Sequence, residues 1–341
     1  MTLFSARFFP TLLDAVTPAS WSWLPPQYST YAAGIDWLFW FIMWVSLFFF
    51  VLIVVLMVYF TIKYRRRDES DPPGHGATHN GPLELAWSVI PMVLALMMFW
   101  WGLDEWVAMA TPPPDAYQVE VTAAQWSWSF AYPNGGVSNE LHCWVGKPVR
   151  LLMRSDDVLH ALFIPVFRTK MDIVPDRWSE AWFTPTADSV GEHRLFCAEY
   201  CGQSHYDMKT SVVVHATQED FQTWVDNSLV MPPGTPLAVW GQSLYESRGC
   251  KGCHTLTEQR GQGPGWLETS KLLATKGKRQ FEAGAEREVN VAYLQESIKE
   301  PKKEVVKSFR GVMPTPRRFS DQDIEAVIEF IKSLAPEEKK P

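Results

Sequence analysis

Two stretches of the chain carry no charge at all. Residues 37–62, WLFWFIMWVSLFFFVLIVVLMVYFTI, run for 26 positions with apolar side chains on every face of the helix they would form. A helix buried in a soluble protein would show a polar stripe, and a membrane span needs only ~20 such residues. Residues 85–103 give a second uncharged run, 19 long, containing Pro91. Proline is tolerated inside membrane helices, where neighbouring groups satisfy the freed carbonyl. Two spans are therefore predicted. Beyond TPPP at 111–114 the pattern changes to short alternation. YQVEVTAAQWSWSFAYPNGG alternates apolar and polar positions and ends at the turn signal Asn134-Gly135-Gly136. PVRLLMRS, VLHALFIP, HRLFCAEYC and TSVVVHA are further short β-rich runs. Their spacing predicts an antiparallel sandwich or barrel, closed by a helix over QEDFQTWVDNSL. After the proline-rich MPPGTP at 231–236 the helical period returns. AVWGQSLYESRGC reads as an amphipathic helix, and SDQDIEAVIEFIKSL as another with Ser320 as N-cap.

Charge sets the orientation. The loop between the two spans holds Lys63, Arg65, Arg66 and Arg67, whereas the first 34 residues hold only Arg7 and no lysine or arginine follows the second span until Lys147. The positive-inside rule puts that loop in the cytoplasm and everything after Met109 outside. SARFFPTLLDAVTPAS is a weak signal-peptide pattern, broken by Pro10 and Asp14; the alternative is an external segment leading into the first span. The expected domains are 1–34, an external N-terminal segment; 35–110, a transmembrane hairpin; 111–230, a β-domain; 231–236, a linker; and 237–341, a helical domain.

The net charge of −7 is unevenly spread. Residues 111–232 carry 8 basic and 15 acidic side chains, and residues 233–341 carry 18 and 15. No block is basic enough for nucleic acid. The linker reaches only ~20 Å at ~3.1 Å per residue, so the positive C-terminal domain is expected to dock in cis on the negative β-domain.

Five cysteines, of which four form two local pairs, do not make a disulfide framework. In CAEYCGQSHYDM, Cys197 and Cys201 are followed by His205 and Met208. The bland reading is a disulfide with bystanders. The alternative is metal: thiolate, imidazole and thioether together are a soft donor set that selects copper, where structural zinc uses Cys and His alone. His160, in an apolar strand, is the candidate ligand from a distant element. Two bridging thiolates and two imidazoles can hold two copper ions, leaving no open position; that suits an electron carrier rather than a catalyst.

The pattern C-x-E-x-C-x₃-H-x₂-M, preceded by D-V-L-H, resembles the binuclear CuA signature of cytochrome c oxidase subunit II. The resemblance covers about the first 230 residues. It includes the two spans, Gln125–Trp128 and the KMD-x-x-P-x-R stretch from Lys170 to Arg177. It implies a cupredoxin-like Greek-key barrel, copper ligation by His160, Cys197, Cys201, His205 and Met208, and a sixth contact from the backbone carbonyl of Glu199. The Glu199 carboxylate would face a magnesium ion shared with subunit I. Trp126 matches the exposed tryptophan at which electrons enter, against a reading as an aromatic core residue. Ser127 stands where the family often has tyrosine. Glu84 matches a glutamate at the mouth of a proton channel, against a reading as an interfacial anchor. Asp172 and Arg177 are second-layer groups near the magnesium or a surface ion pair, and Asp176 stands where the family often has glycine.

CKGCH at 250–254 is C-x-x-C-H: Cys250 and Cys253 can add to haem vinyl groups, and His254 becomes an axial ligand. Met313, 59 residues on, is the candidate sixth ligand, with Met231 the rival. His/Met ligation raises a haem potential into the range of electron-transfer cytochromes. The flanking helices and GPGW at 263–266 resemble class I cytochromes c. Cys143 reads as a buried free thiol, His75 and His79 as residues of a polar loop, and His142, His193 and His215 receive no role.

The expected fold class is a multi-domain membrane protein with a two-helix transmembrane hairpin, an all-β cupredoxin-like barrel and an all-α cytochrome c domain. The implied function is the electron-input subunit of a haem-copper terminal oxidase of the caa3 type, passing electrons from haem c to CuA and on to subunit I, with dioxygen reduction coupled to proton translocation. Partners implied are subunit I, subunit III, membrane lipid and a soluble cytochrome c or another donor. The competing readings are the electron-input subunit of a nitric oxide reductase, with the same copper motif, and a structural subunit of a quinol oxidase, which would lack copper ligands. The implied location is a bacterial cell membrane with both termini outside.

Overall fold

A computed structural model describes residues 23–68, 76, 78–228, 231–311, 313, 315 and 319–335. The signal-peptide pattern and His75 lie outside the described residues. The chain divides into two units, one built on the two apolar helices and one containing Tyr28–Tyr31 and everything from Glu105 onward.

In the first unit, α1 (Ala32–Lys63) and α2 (Gly81–Ala110) extend beyond the uncharged runs at both ends. Both are long and apolar enough to cross a membrane. They meet through Trp101, whose ring lies edge-on to Trp37 at 4.5 Å and to Phe41 at 5.1 Å. Pro91 sits inside α2 without ending it.

The second unit begins with a β-domain. The run predicted as one alternating segment is a hairpin, β1 (Tyr117–Ala124) and β2 (Ser127–Ala131), turning at Gln125-Trp126. There follow β3 (Val137–Ser138), β4 (Leu141–Trp144), β5 (Val149–Ser155), β6 (His160–Ile164), β7 (Thr169–Ile173), β8 (Ser179–Phe183), β9 (Gly191–Cys197) and β10 (Lys209–His215). They form two five-stranded sheets, ordered β3-β2-β1-β5-β8 and β4-β10-β9-β6-β7. The expectation of antiparallel pairing is corrected at two places, because β1 runs parallel to β5 and β4 parallel to β10. Each of these pairs joins strands separated by others along the chain, which frees them from hairpin geometry. Alternate residues such as Val119, Val121, Leu151 and Met153 are fully buried between the sheets. The predicted closing helix is α3 (Gln218–Ser228), which buries Phe221 and Val225. Tyr28–Tyr31 also packs on this domain. Ser29 bridges to Pro185, and the Tyr31 hydroxyl donates to the Trp182 carbonyl at 2.8 Å.

The C-terminal domain holds α4 (Leu237–Ser247), α5 (Trp266–Thr275), β11 (Lys278–Gln280), β12 (Glu286–Glu288), α6 (Val291–Lys299) and α7 (Asp321–Ser333). The small β11–β12 hairpin adds to the expected all-α fold; Gly284, with φ +80°, supplies its turn. α4 and α7 cross tightly at Gly241, where a Cβ would stand 2.0 Å from the Ala326 carbonyl oxygen. Trp240, Leu244, Val327, Phe330 and Ile331 form the buried seam. Ser320 caps α7 in a reciprocal box with Asp323.

Candidate metal centre

His160 opens β6, Cys197 ends β9, and the loop 198–208 carries the remaining donors into β10. The loop is closed at its base by the Cys197 amide, which donates to the Met208 carbonyl at 3.0 Å, and by the Ala198 amide, which donates to Ala161 at 2.9 Å. Gly202, at φ +121°, makes the bend; a Cβ there would lie 2.9 Å from Gln125 Nε2 and 3.1 Å from the Trp126 ring. His205 starts a single 3₁₀ turn that brings its imidazole back over Cys201.

The two sulfurs stand 3.8 Å apart. A disulfide needs ~2.05 Å, so these are two free thiols. Around them lie His160 Nδ1, 3.9 Å from Cys197 Sγ; the Glu199 carbonyl oxygen, 3.2 Å from the same sulfur; His205 Nδ1, 3.5 Å from Cys201 Sγ; and Met208 Sδ, 3.6 Å from Cys201 Sγ. All six residues named from the sequence thus converge. His160, Cys197, Cys201 and Met208 are buried, and His205 and Glu199 are half-buried. Two soft sulfurs spaced to be bridged, with one imidazole and one further donor at either side, fit a pair of copper ions.

The orientation of His160 is set by a residue that the sequence reading passed over. Asp157 accepts from His160 Nε2 at 2.8 Å, from the Val158 amide at 2.7 Å and, through its other oxygen, from the Gln125 amide at 2.7 Å. With Nε2 carrying the proton, Nδ1 presents its lone pair to the thiols. Burial opposes ionisation of Asp157, but His160 and the two amides outweigh it and hold the carboxyl below its usual range. Burial likewise opposes charge on His160, and Asp157 and Cys197 outweigh it, raising the imidazole. Between the thiols, burial raises both; the contacts with His160 and with backbone amides reverse this for Cys197, while the Cys197 charge pushes Cys201 further up. Gln125 also donates through Nε2 to the Cys201 carbonyl at 2.7 Å, tying the β1–β2 hairpin to both ligand segments. D-V-L-H held the signal for Asp157; Gln125 opens the stretch Gln125–Trp128 that carries part of the resemblance, but nothing in the sequence gave it this bracing role.

The C-x-x-C-H residues occupy a short turn after α4. The Tyr245 hydroxyl donates to the His254 carbonyl at 2.7 Å, and His254 Nδ1–H donates to the Pro264 carbonyl at 2.8 Å. This leaves Nε2 as the free imidazole lone pair, and burial pushes the imidazole pKa down, which favours the neutral ring. Gly263 permits the GPGW loop to reach the ring: a Cβ there would lie 2.5 Å from His254 Cε1. Cys250, Cys253, His254 and Met313 line one cavity. Met231 is not among its lining residues and packs against the α4–α7 seam instead. Two arginines also line it, the buried Arg279 and the half-buried Arg248, whose Nε and Nη1 are enclosed. Thiols for two vinyl groups, a pre-oriented imidazole, a thioether and cations for two carboxylates fit a haem.

The remaining expectations divide. Trp126 was matched to an exposed tryptophan but is half-buried, because the hairpin folds its ring onto Gly202. Asp176 has φ +58°, a left-handed conformation that explains why glycine suits that position and why aspartate is tolerated. Asp172 and Arg177 are exposed. Glu84 accepts the Asn80 amide at 2.9 Å at the start of α2. Cys143 is fully buried, with its thiol pushed up by burial. His142 and His215, which received no role, form a pair: Nδ1 of one lies 3.0 Å from Nε2 of the other, and Trp224 stacks on His142 at 3.6 Å. Pairing across β4 and β10 is invisible in a linear reading.

Three family profiles match the chain: the transmembrane domain of cytochrome c oxidase subunit II over residues 19–103, the periplasmic domain of the same subunit over 136–217, and cytochrome c over 238–335. Cytochrome c oxidase subunit 2 of Alkalihalophilus pseudofirmus is 29% identical over 298 residues, spanning 83% of each chain. The alternative cytochrome c oxidase subunit 2 of Bradyrhizobium diazoefficiens is 31% identical over 218 residues, 54% of this chain and 76% of its own. The crystal structure of the periplasmic domain of subunit II of cytochrome oxidase from Bradyrhizobium japonicum aligns at 30% identity over 34% of this chain and 94% of that one, with a TM-score of 0.31.

Proposed function

The chain belongs to the cytochrome c oxidase subunit II family with a cytochrome c domain at its C-terminal end, and from that premise we propose that it is the electron-input subunit of its membrane oxidoreductase complex. In this reading the C-terminal domain (237–341) receives single electrons from an outside donor such as a soluble cytochrome c. The β-domain (111–230) passes them to subunit I, where dioxygen is reduced and protons are moved across the membrane. The hairpin (35–110) anchors the chain beside subunits I and III, with both domains on the outer face of a bacterial cell membrane and the linker at 231–236 between them. A binuclear copper pair and a covalent haem c supply reversible one-electron chemistry when bound.

The observation that carries this reading is the convergence of His160, Cys197, Glu199, Cys201, His205 and Met208 on two sulfurs 3.8 Å apart. A rigid, buried donor set leaves no position for substrate, which suits relay rather than turnover. This chain's residues hold ligand geometry: Asp157 fixes the His160 tautomer, Gln125 braces Cys201, and Pro264 fixes His254. The Glu199 carboxylate is the candidate for a magnesium ion shared with subunit I, and Glu84 for the mouth of a proton channel.

Docking of the C-terminal domain in cis is supported by contacts within the second unit. The Asn139 amide donates to Ser247 at 2.7 Å, and Gln262 Nε2 to Ser204 Oγ at 2.9 Å, one residue before His205. Lys251 lies within electrostatic reach of the Glu140 carboxylate, and Lys302 of the Asp156 carboxylate. The test is gas consumption by the detergent-solubilised complex purified through this chain, with ascorbate and a mediator. Cyanide-sensitive oxygen uptake is expected. Nitric oxide consumption without oxygen turnover, or no turnover with copper and haem both present, would overturn the oxidase reading.

A further inference from the structure

Two buried donors in the haem cavity have no acceptor among the described residues. One is the indole N–H of Trp128, which is 3% exposed and belongs to β2 of the copper domain. The other is the Arg248 guanidinium, whose Nε and Nη1 are enclosed and unpaired. Both line the cavity that holds Cys250, Cys253 and His254. Indole and guanidinium groups only donate, and a buried guanidinium requires an anion. The nearby Asp323 is already committed, accepting from Trp240 Nε1 on one oxygen and from Ser320 on the other. The Phe319 ring lies over the Arg248 guanidinium at 5.4 Å. Arg279, the other guanidinium in the cavity, already donates to Thr269 at 3.2 Å.

We propose that Trp128 and Arg248 jointly hold one haem propionate, so that the seat for the cofactor of the C-terminal domain is completed by a residue of the copper domain. This rests on the reading of the cavity as a haem pocket. A propionate matches what the site demands: a carboxylate at the edge of a planar apolar group, able to accept from an N–H on one side and a guanidinium on the other. The arrangement has a consequence for the route between the centres. The Trp128 ring lies edge-on to the His160 ring at 6.5 Å between centroids. One indole therefore touches both the haem cavity and a copper ligand. Trp126 is not among the residues lining the cavity. The structure thus assigns contact with the internal donor to Trp128 and leaves Trp126 outside it.

The test uses the full chain in its complex, loaded with haem and copper. Trp128→Phe removes the N–H and keeps an aromatic ring; Arg248→Gln removes the charge. The readouts are the haem midpoint potential by optical titration and the propionate bending band in resonance Raman spectra. An unneutralised carboxylate favours ferric iron, so both variants are expected to lower the potential and shift the band. The double variant should shift less than the two singles combined, because both donors serve one group. Trp178→Phe, at an exposed tryptophan, should change neither. In the wild-type chain, transfer to D₂O should shift the same band, a reading that needs no variant to fold. Wild-type potential and band in Trp128→Phe, at full haem content and with copper absorption intact, overturn the shared seat. Absence of covalent haem from the wild-type chain would instead overturn the functional reading beneath it.

Discussion

Replacing Asp157 by alanine should weaken copper binding by about ten- to a hundredfold, and the structure shows where the loss arises. The carboxylate accepts hydrogen bonds from His160 Nε2 and from the amides of Gln125 and Val158, with the Ser155 hydroxyl at 3.5 Å. The two amide bonds form with or without metal, so losing them costs stability of the β1–β2 hairpin, ~1 kcal/mol each. The imidazole bond acts on the metal. The His160 ring has no exposed surface, so water cannot replace the acceptor. Without it the proton can move to Nδ1, the atom that faces Cys197 at 3.9 Å, and the lone pair needed for copper is lost. A hydrogen bond to a charged group contributes ~1.5–3 kcal/mol. At ~1.4 kcal/mol per decade, that is ~10- to ~150-fold, in line with the ~10–100-fold seen when partners of metal-bound histidines are removed. Asp157→Asn keeps an oxygen acceptor and should lose less than the alanine variant. The assay is competition with a copper chelator, followed by the thiolate–copper absorption of the full chain. Wild-type copper affinity in Asp157→Ala would refute the argument that this carboxylate sets the ligand tautomer.

Three further outcomes are expected. Burial, and for His215 also the neighbouring His142, depress both imidazoles of that pair. The unfolded chain therefore binds their protons first. The contribution to stability is complete above the unfolded value of ~6.5 and is lost as pH falls below it through the folded values; thermal unfolding of the β-domain from pH 8 to 5, at ~1-unit steps, should show this, and His215→Phe should flatten it. Gly241→Ala sets a Cβ 2.0 Å from the Ala326 carbonyl, a backbone atom that cannot yield without separating α4 from α7. Overpacking costs ~1–3 kcal/mol or more, against a gain of ~1 kcal/mol in helix propensity, so the haem domain should melt several degrees lower by Soret circular dichroism; an unchanged midpoint would show that the crossing is looser than described. Lys251→Glu and Lys302→Glu should slow haem-to-copper transfer at low salt, with the difference fading as salt screens the interface; stopped-flow rates independent of ionic strength would exclude electrostatic docking.

Local chemistry was legible along the chain. Two charge-free runs are long enough to cross a membrane, and C-x-x-C-H with a methionine downstream points to haem attachment without any knowledge of the fold. The spacing of Cys197, Cys201, His205 and Met208 places four soft donors on one loop, because so short a segment cannot scatter them. The strands followed from alternation, and the Ser320 cap followed from its acidic first turn. What the sequence could not determine were relations between distant segments. The β1–β2 turn at Gln125 was hidden inside a continuous alternation, since Gln and Trp carry no turn signature; its geometry is imposed by Asp157 and Cys201. The parallel pairings β1–β5 and β4–β10, and the meeting of His142 with His215, depend on how strands order themselves in a sheet, which alternation does not encode. Trp128 reads in sequence as one of several tryptophans. Only the tertiary structure sets its ring beside His160 and places it in the cavity lined by Cys250, Cys253 and His254, because that position is defined by two domains at once. Residue chemistry and short spacing determined which groups could bind copper and haem; the packing of sheets and domains decided how those groups are oriented and which neighbours hold them there.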